Sequence, residues 1–108
     1  MTVKWYAEAV GDLDKIYNYY EKLNPRAAAI LYNKFLDAVE ILKTQPYASA
    51  LEQTLVDFSE SYRSLIVENY KLVYFIKNDT VLIVQVFDCR QAPLKLKRTT
   101  LRRRNNPN

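Results

Sequence analysis

Three cations in the second half of the chain, Arg63, Lys71 and Arg90, are the residues placed to hold an anionic or acidic ligand. Each lies in or beside a run of β-forming residues, where side chains alternate between two faces. The other ingredients of chemistry are scarce. There is no histidine, which removes the commonest metal ligand and the commonest general acid–base. A single cysteine, Cys89, and scattered carboxylates make no metal-ligand spacing. The one glycine, Gly11, excludes a glycine-rich phosphate loop. Neither a metal nor a cofactor is expected, and a nucleotide-hydrolysing or metal-dependent enzyme is disfavoured.

The elements that position the cations are three β-type runs, Tyr62–Val67, Tyr70–Lys77 and Thr80–Phe87. Asn78-Asp79 is a two-residue hairpin turn, since both residues tolerate positive φ. It pairs Lys77 with Thr80, Phe75 with Leu82, Val73 with Val84 and Lys71 with Val86. The earlier turn admits two registers. A two-residue loop, Glu68-Asn69, sets Arg63 opposite Tyr74. A three-residue loop with Asn69 left-handed sets Arg63 opposite Val73 and Leu65 opposite Lys71. The second is preferred, because it gathers Ile66, Tyr70, Leu72 and Tyr74 into one apolar set for helices to cover. Arg63, Leu65, Lys71, Val73, Phe75, Leu82, Val84 and Val86 then form the open face, with Asp88 and Arg90 joining if the last strand continues. An apolar patch carrying cations marks a binding surface. The alternative is that this face packs on residues 46–61, with Arg63 pairing Asp88.

Upstream, Thr2 to Tyr6 reads as a strand. Val10, Leu13, Ile16, Tyr17, Tyr20 and Leu23 then recur at helical spacing. Asn24-Pro25 supplies an N-cap and a first-turn proline for a second helix ending near Thr44. So short a link makes the two helices an antiparallel hairpin. Residues 46–61 read as a loop with an extended piece at Thr54–Phe58. The fold class is therefore α+β: an N-terminal strand, then an antiparallel helical hairpin packed on one face of a C-terminal antiparallel β-meander.

The chain's 108 residues suit one domain. The net charge of +4 is unevenly spread. Residues 1–93 carry ten Lys and Arg against twelve Asp and Glu, whereas residues 94–108 carry Lys95, Lys97, Arg98, Arg102, Arg103 and Arg104 and no acid. The expected division is a folded body, 1–93, and a basic tail, 94–108. The tail either attracts polyanions or an acidic partner, or is a solvated, frayed terminus. No signal-peptide pattern opens the chain, no run reaches bilayer length and a lone Cys89 suits a reducing compartment, so a cytoplasmic protein without membrane association is expected. Cys89, beside Arg90, is read as a buried structural thiol rather than a reactive one.

Two stretches resemble the RelE/ParE-type toxins of bacterial type II toxin–antitoxin systems, also described as plasmid stabilisation proteins. Trp5, Ala9, Asp12-Leu13, Ile16-Tyr17, Tyr20 and Asn24-Pro25 followed by Ala27-Ala28 look like the helical half. Tyr62-Arg63, Val67, Asn69 to Tyr74 and Val86 to Arg90 look like the sheet half. The resemblance covers about residues 2–92. It implies a growth-inhibiting toxin held in a hetero-oligomer with a cognate antitoxin, acting either on DNA gyrase (the ParE kind) or on ribosome-bound messenger RNA as an endoribonuclease (the RelE kind). Laid on this chain, the RelE-kind basic positions fall on Arg63, Leu65, Lys71 and Arg90, and the tyrosine position falls near Leu96. Cations of that kind stabilise the charge that develops on a phosphate attacked by a 2′-hydroxyl. Leu65 and Leu96 cannot contribute, so the electrostatic half of the nuclease set remains without its proton-transfer half. The ParE-like reading follows, with Arg63, Lys71 and Arg90 as target contacts. Leu65, Val73, Phe75, Val84 and Val86 are the expected partner-binding residues. A non-toxic binding module of the same fold is the remaining alternative.

Overall fold

A computed structural model describes residues 1–105. Strand β1 (Thr2–Trp5) leads into helix α1 (Ala7–Leu23) and, after one residue, helix α2 (Pro25–Thr44). Strands β2 (Arg63–Val67), β3 (Tyr70–Lys77) and β4 (Thr80–Asp88) follow, and helix α3 (Pro93–Arg104) ends the fold. The sheet order is β1-β4-β3-β2, with β1 parallel to β4 and the meander antiparallel. The α+β plan expected from the sequence is the one observed, with helix α3 added to it.

The helical hairpin turns on one residue. Asn24 sits extended, and its side chain accepts a hydrogen bond from the Ala27 N–H at 3.1 Å, while Pro25 occupies the first helical turn. The apolar stripes of both helices cover one sheet face. Ala9, Leu13, Phe35, Ala38 and Leu42 meet Leu72, Tyr74, Val81 and Ile83 in the larger core. Tyr74 is fully buried and its hydroxyl donates to the Pro46 carbonyl at 2.6 Å, fixing where the chain leaves α2.

The meander departs from the expected register in two places. The β2–β3 turn is the two-residue loop Glu68-Asn69, with Val67 paired to Tyr70 and Glu68, not Asn69, at positive φ (54°). Arg63 therefore pairs with Tyr74 and Leu65 with Leu72, both on the helix side, and Ile66 turns outward. The Asn78-Asp79 turn is as expected, with both residues left-handed. Beyond it a β-bulge falls between Val73 and Tyr74: Tyr74 pairs with Ile83 but Val73 with Gln85, so Val84 is the extra residue. Lys71 consequently pairs with Phe87 rather than Val86, and Val86 joins the helix-side core.

The second sheet face is not open. Residues 46–61 and α3 cover it. Leu55, Tyr62, Val73, Phe75, Phe87 and Leu96 form a second core there. Where an extended piece was expected, Gln53–Leu55 make a single 3-10 turn capped by the Glu52 carboxylate. The basic segment is a helix rather than a frayed end as far as Arg104, with Leu96, Thr99 and Thr100 buried; residues 106–108 lie outside the described residues. Its last turn closes a gap in the sheet. Past Ile83 the outer edge of β4 has no β1 partner. There Asp12 accepts the Val86 N–H at 3.0 Å, and Arg103 donates to the Val84 carbonyl at 3.2 Å while clasping both Asp12 oxygens (2.9 and 2.7 Å).

Candidate functional site

The three cations do not converge. Lys71 alone projects from the second face, Arg63 lies at the helix-side edge of β2, and Arg90 stands past the end of β4. The physical reason is the turn and the bulge, each of which shifts alternation by one residue and so exchanges faces.

Lys71 is committed internally. Its ammonium donates to Glu52 at 2.8 Å, and Glu52 also accepts from Ser64 Oγ at 2.6 Å and from the Thr54 hydroxyl at 2.9 Å. Burial alone would raise the Glu52 carboxyl, but these donors more than reverse that and hold it at about 2. The cluster pins the 46–61 segment to the sheet. Its four polar partners satisfy one another, so it is built as a clasp.

Arg63 is held by carbonyls. One guanidinium nitrogen donates to the Ser49 carbonyl at 2.6 Å and to the Tyr47 carbonyl at 3.4 Å, and the plane lies 5.5 Å from the centroid of the exposed Tyr47 ring. Among the described residues no carboxylate pairs with it, so its charge is uncompensated. The Arg63–Asp88 pair of the alternative reading is absent among the described residues; Asp88 belongs to Arg90.

Arg90 is both exposed and ordered. Its side chain donates to both Asp88 oxygens (2.9 and 3.0 Å) and to the Tyr70 hydroxyl at 3.2 Å, and its guanidinium lies 5.7 Å from the Tyr70 ring centroid. Tyr70 in turn donates to Tyr20 of α1 at 3.3 Å, and Tyr19 meets Tyr20 edge to face. The Arg90 hydrogen bonds hold Asp88 below the usual carboxylate range. Burial and the Tyr20 hydroxyl push Tyr70 well above an ordinary phenol, and burial likewise raises Tyr62 and Tyr74. None of the three is prepared to accept a proton near neutrality. The arrangement is an arginine pre-set against aromatic rings, a composition enriched at energetic centres of protein interfaces.

The expected partner-binding residues also divide. Leu65 and Val86 face the helices, and Val73 is fully buried beneath the second cover. Only Phe75 and Val84 reach an open cleft. It has a volume of about 510 Å³ and runs between the start of α1, the 58–62 segment and the end of α3. Tyr6, Tyr62, Phe75 and Val84 give it apolar and aromatic walls, while Glu8, Glu60 and Arg104 bring charge to it. Cys89 is exposed, contrary to expectation, yet its thiol is pushed up by partial burial and so is not activated.

Sequence reasoning missed Tyr20, Asp12 and Arg103 as participants. Tyr20 fits the helical stripe and reads as core; only its pairing with Tyr70 across fifty residues reveals its second role. Arg103 reads as tail charge, although Asp12 is the carboxylate it needs.

Among the described residues there is no cluster able to hold a metal ion and no helix long and apolar enough to cross a membrane. A family model described as "ParE toxin of type II toxin-antitoxin system, parDE" matches residues 3–93. No match was found among curated proteins. Among solved structures, a chain described as "Chromosomal ParDE TA system from P. aeruginosa" is similar with a TM-score of 0.67 and 23% identity, covering 82% of this chain and 95% of that one. At that identity the likeness shows the fold.

Proposed function

The chain belongs to the ParE toxin family of type II toxin–antitoxin systems, and from that premise we propose that it arrests growth in the cytoplasm by binding DNA gyrase, without a chemical step of its own. The observation that carries this reading is the separation of the three cations. Arg63, Lys71 and Arg90 occupy different surfaces, Lys71 is engaged by Glu52, and Tyr62, Tyr70 and Tyr74 are all raised above an ordinary phenol. A nuclease centre needs phosphate-stabilising charge and an acid–base pair within reach of one reacting group. A binding toxin needs only an ordered surface. Arg90, set by Asp88 and Tyr70 beside Tyr20, is the proposed centre of the target contact, with Arg63 and Tyr47 a second, separate contact.

The cognate antitoxin is the proposed partner. One of its segments seats in the cleft lined by Phe75 and Val84, where two further aromatic rings and charged rims suit an amphipathic helix or strand. Leu65, Val73 and Val86 then act indirectly, by shaping the sheet beneath.

The test is a gyrase cleavage assay with purified full-length toxin, run beside primer extension on translated messages. Accumulating gyrase–DNA cleavage complexes, relieved by adding antitoxin, are expected. The variant Arg90→Ala keeps its fold and loses at least tenfold in potency, as expected for an interface centre worth about 2 kcal/mol. In-frame message cuts with no effect on gyrase would overturn the proposal.

A further inference from the structure

Helix α3 carries its cations in two sets. One set is turned to the fold: Lys97 pairs with Asp57 at 2.9 Å, Arg103 clasps Asp12, and Arg104, exposed at the cleft, lies 5.3 Å from the Phe58 ring centroid. Lys95, Arg98 and Arg102 are exposed, at helical spacing of three and four residues, on a side of α3 that excludes buried Leu96 and Thr100 and is flanked by buried Thr99. They pair with no acid among the described residues. Their stripe runs about 10 Å along a helix seated by buried Leu96, Thr99 and Thr100 and by the Arg103–Asp12 pair. Its residues neither line the cleft nor hydrogen-bond to Arg90.

We propose that this stripe is a sequence-independent docking surface for duplex DNA, carried by Lys95, Arg98 and Arg102. The inference does not depend on which macromolecule the toxin inhibits. A duplex presents a charge about every 1.7 Å of its axis, so roughly six phosphate charges lie opposite a 10 Å stripe. Three fixed cations on a helix meet that density by releasing condensed counterions. Single strands are the poorer match, because α3 offers no aromatic ring on which unpaired bases would stack. A bilayer surface is poorer too: the outward apolar residues of α3 are Leu94 and Leu101, with no aromatic companion to anchor them. An acidic protein lacks the linear charge density.

Fluorescence anisotropy with full-length protein and a labelled 20-base-pair duplex tests this. Three phosphate contacts give a slope of log affinity on log salt of about −2.7, and so roughly a 40-fold loss between 50 and 200 mM salt. The variant Lys95→Ala/Arg98→Ala/Arg102→Ala abolishes that salt-dependent binding, and the charge-keeping Lys95→Arg/Arg98→Lys/Arg102→Lys retains it. Lys15→Ala/Lys22→Ala/Arg26→Ala, an equal change in net charge at exposed sites on the other helices, leaves it intact. The proposal is overturned if this control loses as much affinity as the stripe variant. It also fails if polyglutamate or anionic phospholipid vesicles compete as well as unlabelled duplex at equal charge.

Discussion

The two faces of the sheet are covered by different physics. The helix side is a continuous apolar layer: Phe35, Ala38 and Leu42 from α2 and Ala9 and Leu13 from α1 lie on Leu72, Tyr74 and Ile83, all buried. The second side has a smaller apolar set around Val73, Phe87 and Leu96, and its cover is fastened by charge. Glu52 holds the 46–61 segment to Lys71 and Ser64, and Arg103 holds α3 to Asp12, with an exposed Lys97–Asp57 pair at its other end. The apolar layer responds weakly to salt or pH, whereas ion pairs respond to both. The second cover should therefore open at a lower free energy than the whole domain, as a local unit. That difference matters for function, since the proposed antitoxin cleft borders the second cover and the target contact at Arg90 rests on the first.

The largest expected effect contrasts one residue from each side. Phe35→Ala removes a ring buried among helix-side residues, and about 4 kcal/mol of global stability should go with it, read as a lower urea midpoint. Leu96→Ala leaves a comparable void but loses about 3 kcal/mol mainly from α3 and the 46–61 segment. Hydrogen exchange should then quicken in α3 while amides of β3 and α2 keep their protection. If both variants speed exchange uniformly, the two covers are one cooperative unit and the contrast is wrong.

Glu52 tests the charge side of the contrast through pH. Its carboxyl is depressed from 4.5 to about 2 in the folded protein. A depressed acid contributes stability that is fully present above its unfolded pKa and is lost as pH falls through the folded one. That contribution is about 3 kcal/mol, so unfolding free energy should drop by that order between pH 4.5 and 2. In Glu52→Gln the slope in this window should flatten and the starting stability should already be low. An unchanged acid limb in the variant would remove Glu52 as the fastener.

Much of this architecture was readable because single residues forced it. Asn24-Pro25 leaves no other way to join two helices, and Asn78-Asp79 takes left-handed angles at low cost, so that hairpin's first pairs are right. Two errors then compounded. Glu68 takes the left-handed position although Asn69 beside it suits that conformation better, because pairing Val67 with Tyr70 buries both on the helix side. The bulge at Val84 lies inside an unbroken β-forming run, where local propensity carries no mark of an inserted residue. Each slip reverses alternation, which is why Leu65 and Val86 change sides and why the three cations separate. Helix α3 escaped notice because its inward stripe is only Leu96, Thr99 and Thr100, two of them β-branched and polar. Its partners on the 46–61 segment are also legible only after folding. The candidate site was thus legible in its residue types and not in its geometry.

A smaller effect separates the two ends of the α3 attachment. Arg103→Ala strips Asp12 of its bidentate partner and the Val84 carbonyl of its donor, at the edge of β4 where no strand covers them. About 2 kcal/mol of local stability should be lost, seen as faster exchange of the Val86 amide and of the last turn of α3. Lys97→Ala breaks a pair whose acid is largely exposed, and it should change neither measurably. Equal effects from the two variants would mean that α3 is held by net charge rather than by the half-buried clasp.

The smallest predicted change has the opposite sign and belongs to the apolar side. Gly11 lies within α1, and a methyl group built on it meets nothing within 4 Å. Its backbone is helical, so alanine needs no new conformation there, and it restricts the unfolded chain. Gly11→Ala should therefore stabilise the protein by about 0.8 kcal/mol, raising the melting temperature by several degrees. Because α1 supports the first cover, protection should rise in α1, α2 and β4. The free energy for opening α3 should stay where it was, except at Arg103, whose partner Asp12 is the next residue along. A gain that extends over the whole of α3 would tie the two covers more closely than their separate cores suggest, with the Asp12–Arg103 pair as a direct bond between α1 and α3.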